Sequence, residues 1–353
     1  MSDGRAGSGM PGAPLLEAVR VTKHFDLGRG QVVHAVDDVS LSIAEKEIVG
    51  LVGESGSGKS TFGKTLLGLY PKTSGEVRFD GETLPKRYTP ADFRRHSKRM
   101  QMIFQDPYSS LNPRMTVGEI IGEGLRLNTR FGGARIRDAV GDWLERVGLE
   151  RGHAARYPHE FSGGQRQRVG IARALILSPK FVVCDEPISA LDVSVQAQIV
   201  RLLGELKESL GLTMLFIAHD LSMVRYVSDR MAVMYLGSLV EIGPADDVYF
   251  EPLHPYTQVL VRSNPQPDPE AERKRATIPI EGEIASPVNV GPGCRFASRC
   301  PKVLDVCRRA APQLATVRAG AGGAERRVAC HLYSPAATTR GEAESEQGAD
   351  TRA

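Results

Sequence analysis

The chain has 353 residues, of which 41% are hydrophobic and 25% charged, and its formal net charge is +3. These values are typical of a folded protein with a sizeable core and exclude fibrous and largely disordered classes. A charge this close to balance gives no case for a nucleic-acid partner. The N-terminus lacks the apolar core of a secretion signal, and no apolar run reaches the roughly 18 residues that span a bilayer. We therefore expect a cytosolic chain that contacts a membrane only through a partner.

The chain divides into four parts by composition. Residues 1–14 and 334–353 are rich in small and polar residues and are predicted to be disordered. Residues 15–262 alternate short β-rich apolar runs with helical periodicity, which is typical of an α/β domain, and residues 93–178 are predicted to hold a helical lobe. Residues 263–333 change to scattered Pro, Gly and Cys, which predicts a small accessory module built on turns.

A glycine-rich loop follows the first buried strand, which is predicted at residues 47–52. The loop fits the pattern G-x-x-x-x-G-K-[ST], and a helical pattern follows it. Glycines let successive backbone N–H groups point at one phosphate, and the helix presents its positive end to the same anion. Lys59 supplies a cation for the outer phosphates, and the Ser60 hydroxyl can ligate Mg²⁺. The predicted nucleotide-binding residues of this loop are Gly53, Glu54, Ser55, Gly56, Ser57, Gly58, Lys59, Ser60 and Thr61.

Two carboxylates follow a second buried strand, which is predicted at residues 181–184. Acids at the end of a buried strand are costly unless a cation or a reaction uses them. Asp185 is the expected Mg²⁺ partner, directly or through water, and Glu186 can polarise an attacking water. The alternative, a pair of helix N-cap residues, is disfavoured in a chain that also carries a phosphate loop.

A second candidate anion site lies in the run Phe161-Ser-Gly-Gly-Gln165, directly before a helical pattern. Ser162 is a good N-cap, and the two glycines leave backbone N–H groups bare at the helix start. An ordinary capped helix is the alternative interpretation. One chain has no obvious need for two phosphate sites.

With this motif the chain resembles the ATP-binding-cassette (ABC) transporter ATPases, whose LSGGQ signature stands here as FSGGQ. The resemblance covers residues 15–262 and implies a RecA-like α/β core with an antiparallel β subdomain and a helical subdomain. It implies ATP and Mg²⁺ as cofactors and Glu186 as the catalytic glutamate. It also implies that two subunits pair head to tail, so that the signature of one closes on the phosphate loop of the other.

The same resemblance places further site residues. Gln105 is similar to the glutamine that senses Mg²⁺ and the γ-phosphate, and His219 is similar to the switch histidine. Phe25 stands where the family stacks an aromatic ring on adenine, and residues 189–192 resemble the D-loop. The additional nucleotide-binding residues that the signature and the D-loop imply are Ser162, Gly163, Gly164, Gln165 and Asp192.

Three segments narrow the resemblance to the oligopeptide, dipeptide and nickel importer ATPases: residues 102–116, 254–260 and 279–301. The match implies an ATPase that powers bacterial import of di- or oligopeptides by hydrolysing ATP to ADP and phosphate. It implies a second ATPase subunit in a heterodimer, two membrane permeases and, indirectly, an extracellular solute-binding protein as partners. The expected location is the cytoplasmic face of the cell membrane, and nickel or another small solute remains an alternative cargo.

Three other functions are weighed against this one. A soluble ABC ATPase that remodels ribosomes or DNA usually carries two cassettes or a coiled-coil insertion, and neither is visible. A P-loop small-molecule kinase needs an acceptor pocket, whereas FSGGQ and His219 indicate a second anion site and a switch. A metal-sensing regulatory subunit would require metal to change ATP turnover.

Four of the five cysteines cluster in the C-terminal module. In a cytosolic chain, clustered cysteines indicate metal ligands before disulfides. The spacing is not that of a CxxC knuckle and supports zinc only weakly, whereas four thiolates suit a [4Fe–4S] cluster, which members of the importer family carry in this extension. Free thiols are the third interpretation, and His331 is a possible substitute ligand. The predicted ligands are Cys294, Cys300, Cys307 and Cys330.

Overall fold

The computed structural model of the protein describes residues 13–189, 191–263, 286–318 and 325–333. The two segments predicted to be disordered lie outside these residues, apart from residues 13 and 14, and so does Ala190 of the D-loop segment. Among the described residues, no helix combines the length and the apolarity that crossing a bilayer requires.

A four-stranded antiparallel sheet with strand order β2-β1-β4-β5 forms the first layer. Its long strands β1 and β2 are joined at a tight turn in which Arg29 and Gly30 both have positive φ. One face of the sheet buries apolar side chains such as Val21, Val39 and Val77, and the other face is polar. The strands are β1 (Leu16–Gly28), β2 (Gln31–Ile43), β4 (Ser74–Phe79) and β5 (Glu82–Thr83).

An eight-stranded mixed sheet with strand order β11-β12-β10-β9-β3-β8-β7-β6 forms the second layer. Its five central and distal strands, β9-β3-β8-β7-β6, pair in parallel, and their short apolar sequences fit strands that are covered on both faces. The strands are β3 (Ile48–Val52), β6 (Met100–Ile103), β7 (Phe181–Asp185), β8 (Thr213–Ile217), β9 (Arg230–Tyr235), β10 (Ser238–Pro244), β11 (Ala315–Arg318) and β12 (Glu325–Val328).

Helices cover both faces of the eight-stranded sheet. The α-helices of the described residues are α1 (Lys59–Leu66), α2 (Pro90–His96), α3 (Pro107–Ser110), α4 (Val117–Asn128), α5 (Gly133–Arg146), α6 (Gly163–Leu175), α7 (Val193–Leu210), α8 (Leu221–Val227), α9 (Ala245–Phe250), α10 (Pro255–Ser263) and α11 (Asp305–Arg309). Short 3₁₀ helices lie at Arg151–Ala155, Pro158–Glu160 and His331–Tyr333.

Two buried cores follow from the alternation of side chains along the strands. Val49 and Leu51 of β3 face α1 and the four-stranded sheet, so that Phe62 of α1 is enclosed between the two sheets. Ile48 and Val52 face the opposite side, where α6 and α7 pack. The α/β class predicted from the sequence is thereby confirmed, and the parallel strands leave their carboxyl ends at one edge.

Helices α4, α5 and the start of α6 form a lobe beside the main sheet. Ile136, Val140 and Trp143 of α5 are buried in it, and they recur at the three-to-four residue spacing of a helix face. The helix α4 begins at a capping box in which Thr116 and Glu119 satisfy each other's backbone N–H groups.

The C-terminal residues join the main sheet. Strand β12 pairs with β10 through Glu241 and Ile242, and β11 adds outside it. Arg326 of β12 is fully buried and donates to the equally buried Glu241 carboxylate at 2.6 Å. Part of the segment predicted as a turn-built module is therefore an edge of the central sheet.

Candidate active site

The candidate site lies where four parallel strands end. The glycine-rich loop follows β3, Gln105 follows β6, Glu186 follows β7, and His219 follows β8. In an open α/β sheet, groups at the carboxyl ends of parallel strands face one crevice, which is where ligands bind. The sheet therefore brings together residues that are far apart in the sequence.

The loop after β3 requires glycine for steric reasons. Gly58 has φ of +101°, and a Cβ atom there would lie 2.0 Å from the carbonyl oxygen of Ala35. A Cβ atom on Gly53 would lie 2.1 Å from the carbonyl oxygen of Met234. The loop consequently wraps tightly against β2 and β9 directly before the N-terminus of α1.

Lys59 is buried inside this loop, with 4% of its surface exposed. Its ammonium group donates to the carbonyl oxygens of Gly53 at 2.8 Å and Glu54 at 3.0 Å. Burial lowers the pKa of Lys59, and the nearby carboxylates of Glu186, Asp185 and Glu54 oppose that shift. The cation is thus held at the centre of the loop, where a phosphate group would meet it.

Ser60 and Asp185 form the hard-oxygen pair expected of a magnesium site. The Ser60 hydroxyl donates to the Asp185 carboxylate at 2.6 Å, although 125 positions separate the two residues. Burial raises the pKa of Asp185, and the hydrogen bond from Ser60 and the charges of Lys64 and Lys59 oppose it. A hydroxyl and a carboxylate oxygen are the ligand types that would hold Mg²⁺ beside a bound triphosphate.

The Glu186 carboxylate lies close to two other predicted site residues. Its carboxylate accepts from Gln105 Nε2 at 2.9 Å and lies 3.9 Å from His219 Nδ1. Its backbone has φ of +44°, which is uncommon for a residue with a side chain and often marks a functional site. The backbone N–H of Glu186 donates to the carbonyl oxygen of Ile217, which fixes this conformation at the end of β7.

The signature segment lies at the start of α6. The Ser162 hydroxyl accepts from Gln165 N at 3.3 Å, and the Gln165 side chain accepts from Ser162 N at 3.0 Å. A Cβ atom on Gly164 would lie 2.5 Å from Val195 Cγ1 of α7, whose N-cap is Asp192. Within the described residues, Ser162 makes no hydrogen bond to the loop at 53–61.

Phe25 is half-buried on β1, where its ring meets the Tyr70 ring edge-on at 5.5 Å. The Lys23 ammonium lies 4.5 Å from the centre of the Phe25 ring. The neighbouring His24 shares Asp37 with His34, and these three side chains offer ligand atoms within 4.8 Å of one another. Arg295 also contacts Asp37, so a cation already neutralises the carboxylate of this group.

Two residues that the sequence did not single out contact the phosphate loop. The Tyr256 hydroxyl accepts from Glu54 N at 2.9 Å, and the Arg299 guanidinium pairs with the Glu54 carboxylate at 3.1 Å. Both residues come from segments that the importer resemblance covers. The glycine-rich motif could not reveal that these two residues contact the loop, because 202 and 245 positions separate them from Glu54.

The four clustered cysteines lie together in the C-terminal module. Cys294 N donates to the carbonyl oxygen of Cys307 at 2.7 Å. Burial raises the pKa of the Cys330 thiol to about 11, and the proximity of the other three cysteines adds to the shift. No three of the four sulfurs lie within 4.8 Å of one another, although all four residues are described.

Two family models match the chain. Residues 36–189 match the family described as ABC transporter. Residues 240–307 match the family described as oligopeptide/dipeptide transporter, C-terminal region.

Curated relatives match most of the chain. The oligopeptide transport ATP-binding protein OppF of Bacillus subtilis is 56% identical over 262 residues, which are 74% of this chain and 86% of that protein. OppF of Salmonella typhimurium is 48% identical over 309 residues, which are 85% of this chain and 92% of that protein.

Solved structures of similar fold include a dimer of the ATP-binding cassette MJ0796 in a post-hydrolysis state, bound to ADP and Pi. It is 30% identical, with a TM-score of 0.60, and the match covers 65% of this chain and 98% of that one. The CbiO1 protein of Clostridium perfringens, part of an ABC transporter complex, is 28% identical with a TM-score of 0.61 over 68% of this chain and 92% of that one.

Proposed function

This chain belongs to the ATP-binding proteins of the oligopeptide/dipeptide ABC transporter family, and we propose that its ATP hydrolysis powers the uptake of di- or oligopeptides by a bacterial cell. The observation that carries the proposal is the convergence of Lys59, the Ser60–Asp185 pair and the Gln105–Glu186–His219 group at one sheet edge. These three groups could bind a phosphate, a magnesium ion and an attacking water, respectively.

The proposed reaction is in-line attack of water on the γ-phosphate of MgATP. The loop N–H groups and Lys59 hold the phosphates, and Ser60 and Asp185 face the magnesium ion that the substrate brings. Glu186 orients and deprotonates the water, the hydrogen bond from Gln105 fixes the direction of its carboxylate, and His219 lies 3.9 Å from the same carboxylate. The chain supplies positioning and charge, which are the main contributions a protein makes to phosphoryl transfer.

The hydrogen bonds of the signature support a shared pocket. Within the described residues, Ser162 and Gln165 bond to each other at the start of α6, and Ser162 makes no hydrogen bond to the loop at 53–61. We infer that Ser162, Gly163, Gly164 and Gln165 of one subunit close on the γ-phosphate held by Lys59 of the other. Asp192, the N-cap of α7, would take part in the same contact between subunits.

Replacing Ser162 with tyrosine is expected to leave ATP binding within about twofold and to lower ATP turnover at least about 100-fold, because bulk at the signature prevents closure. Loss of the N-cap alone costs about 1 kcal/mol, and Ser162→Ala measures that part separately. Binding and steady-state hydrolysis are measured for both variants. Full turnover by the tyrosine variant would contradict the shared pocket.

The proposed assembly contains a second, different ATPase subunit, two membrane permeases and an extracellular solute-binding protein. Tyr108 supports permease docking beside Gln105, since 66% of this aromatic side chain is exposed next to the lobe. Affinity purification of the full chain from detergent-solubilised membranes should recover two integral membrane proteins and a second ATPase. Recovery of the chain alone or with ribosomes would contradict the transporter assignment. We place the chain at the cytoplasmic membrane surface, held there by the permeases.

We also propose that Cys294, Cys300, Cys307 and Cys330 hold a [4Fe–4S] cluster. Zinc with four Zn–S bonds of about 2.3 Å would bring its sulfurs to about 3.8 Å from one another. The four residues lie in one module, and four thiolates are the usual ligand set of such a cluster. A group held this way would stabilise the module, and no redox step in ATP hydrolysis depends on it.

The chain purified without oxygen is therefore expected to contain about four iron atoms and to absorb visible light. Cys307→Ser should remove most of the iron, whereas Cys184→Ala should retain it, because Cys184 lies in β7 away from the module. Iron and zinc are measured by elemental analysis. One zinc per chain, or no metal at all, would contradict the cluster.

A further inference from the structure

One arginine of the C-terminal module contacts the phosphate loop. Arg299 donates from Nη1 to Glu54 Oε2 at 3.1 Å and from Nη2 to Glu54 Oε1 at 3.2 Å. This paired geometry is the strongest form of an arginine–carboxylate contact. Only 7% of the Arg299 side chain and 24% of the Glu54 side chain are exposed, so water screens the pair weakly.

Arg299 is itself held in place by an aromatic cluster. Its Nη1 also donates to the Tyr235 hydroxyl at 3.3 Å, and its backbone N–H donates to the carbonyl oxygen of Phe296 at 3.0 Å. The rings of Tyr235, Tyr256 and Phe296 lie 4.5 to 5.4 Å from one another and are almost fully buried. The guanidinium consequently has little freedom to leave Glu54.

Glu54 connects this cluster to the phosphate-binding lysine. Its backbone N–H donates to Tyr256, its carboxylate accepts from Arg299, and its carbonyl oxygen accepts from the Lys59 ammonium at 3.0 Å. The Glu54 charge also acts on Lys59 directly. Without a cation beside it, this carboxylate would compete with a bound triphosphate for Lys59 and would repel the phosphates.

We propose that Arg299 is a positioning residue of the nucleotide site, which neutralises Glu54 and fixes the phosphate loop so that Lys59 remains available to ATP. The C-terminal module is then a working part of the ATPase. This inference rests on the proposed function only in taking nucleotide as the ligand of the loop.

The test measures binding of MgADP to the full chain by calorimetry, together with the KM and kcat of ATP hydrolysis. Arg299→Gln is expected to weaken binding and raise KM by about tenfold, the effect of one uncompensated charge near the phosphates, with kcat within about twofold. Adding Glu54→Gln should restore binding to within about threefold, because the double variant has no unpaired charge. Arg309→Gln, at an exposed residue of the same module, should match the wild type.

The split between KM and kcat separates positioning from mere stability, since a less stable fold would lower the active fraction, and with it kcat, without raising KM. Equal binding by Arg299→Gln and the wild type, or a double variant no better than Arg299→Gln, would overturn the proposal. If Arg299→Gln does not fold, Arg299→Met replaces it, because it removes the same charge, with the same direction of change and the same rescue by Glu54→Gln. Failure of the wild type to bind MgADP would instead refute the proposed function.

Discussion

Glu186→Gln is expected to abolish ATP turnover while ATP still binds. The amide keeps the size of the side chain but cannot take a proton from water, and a general base of this kind contributes about 10²–10⁴-fold to the rate. We expect a fall of at least about 100-fold in kcat, with nucleotide affinity within about threefold of the wild type. Steady-state phosphate release and calorimetry measure the two quantities.

The matched control for this variant is Glu205→Gln on α7, which loses one carboxylate of an exposed pair with Arg201. An exposed pair of this kind contributes little, so its turnover should equal that of the wild type. Because ATP remains uncleaved in the Glu186 variant, the closed dimer should accumulate and elute earlier in size-exclusion chromatography with ATP. Wild-type turnover by Glu186→Gln would remove this residue from the mechanism.

Arg326→Met is expected to destabilise the fold by about 3–5 kcal/mol, because it leaves the Glu241 carboxylate charged and buried without a cation. Glu241 is fully buried and accepts from Leu253 N and His254 N, both at 2.9 Å, so it cannot turn toward water. The free energy of unfolding is obtained from denaturant titration monitored by circular dichroism.

A control variant and a rescue variant show whether the buried charge causes this loss of stability. Arg327→Met changes the next residue, which is half-buried and faces the like charge of Arg230, and it should cost less than about 1 kcal/mol. Glu241→Gln combined with Arg326→Met should recover most of the loss, because no buried charge remains and the amide oxygen still accepts the backbone N–H groups. A stable Arg326→Met protein would show that the C-terminal strand contributes little to the sheet.

The convergence of the site could be predicted from the sequence for a simple reason. Glu186 and His219 each follow a short, continuous apolar run, and the phosphate loop follows another. Such runs become parallel strands whose carboxyl ends share an edge, so a local pattern fixes a long-range arrangement. The helix α7 can be predicted in the same way, because Ile199, Leu202, Leu203 and Leu206 recur on one face of it.

The C-terminal contacts could not be predicted in this way. Strand β12 reads Glu-Arg-Arg-Val, and nothing in that run distinguishes a strand from an exposed turn. This strand forms because it pairs with β10 and because Arg326 pairs with Glu241. Neither interaction can be read from the periodicity of the sequence. The Arg299–Glu54 pair is hidden for the same reason, since a charge shows no partner until the fold supplies one.

The order of pairing in the central sheet also governs when a newly made chain can complete its fold. Strand β10 leaves the ribosome long before β12, and until then it is an open strand edge with an uncompensated carboxylate at Glu241. Open edges of this kind invite pairing between neighbouring nascent chains. Translation that stops before residue 325 should therefore yield a product for chaperones and proteases to handle, so that only full-length copies reach the transporter.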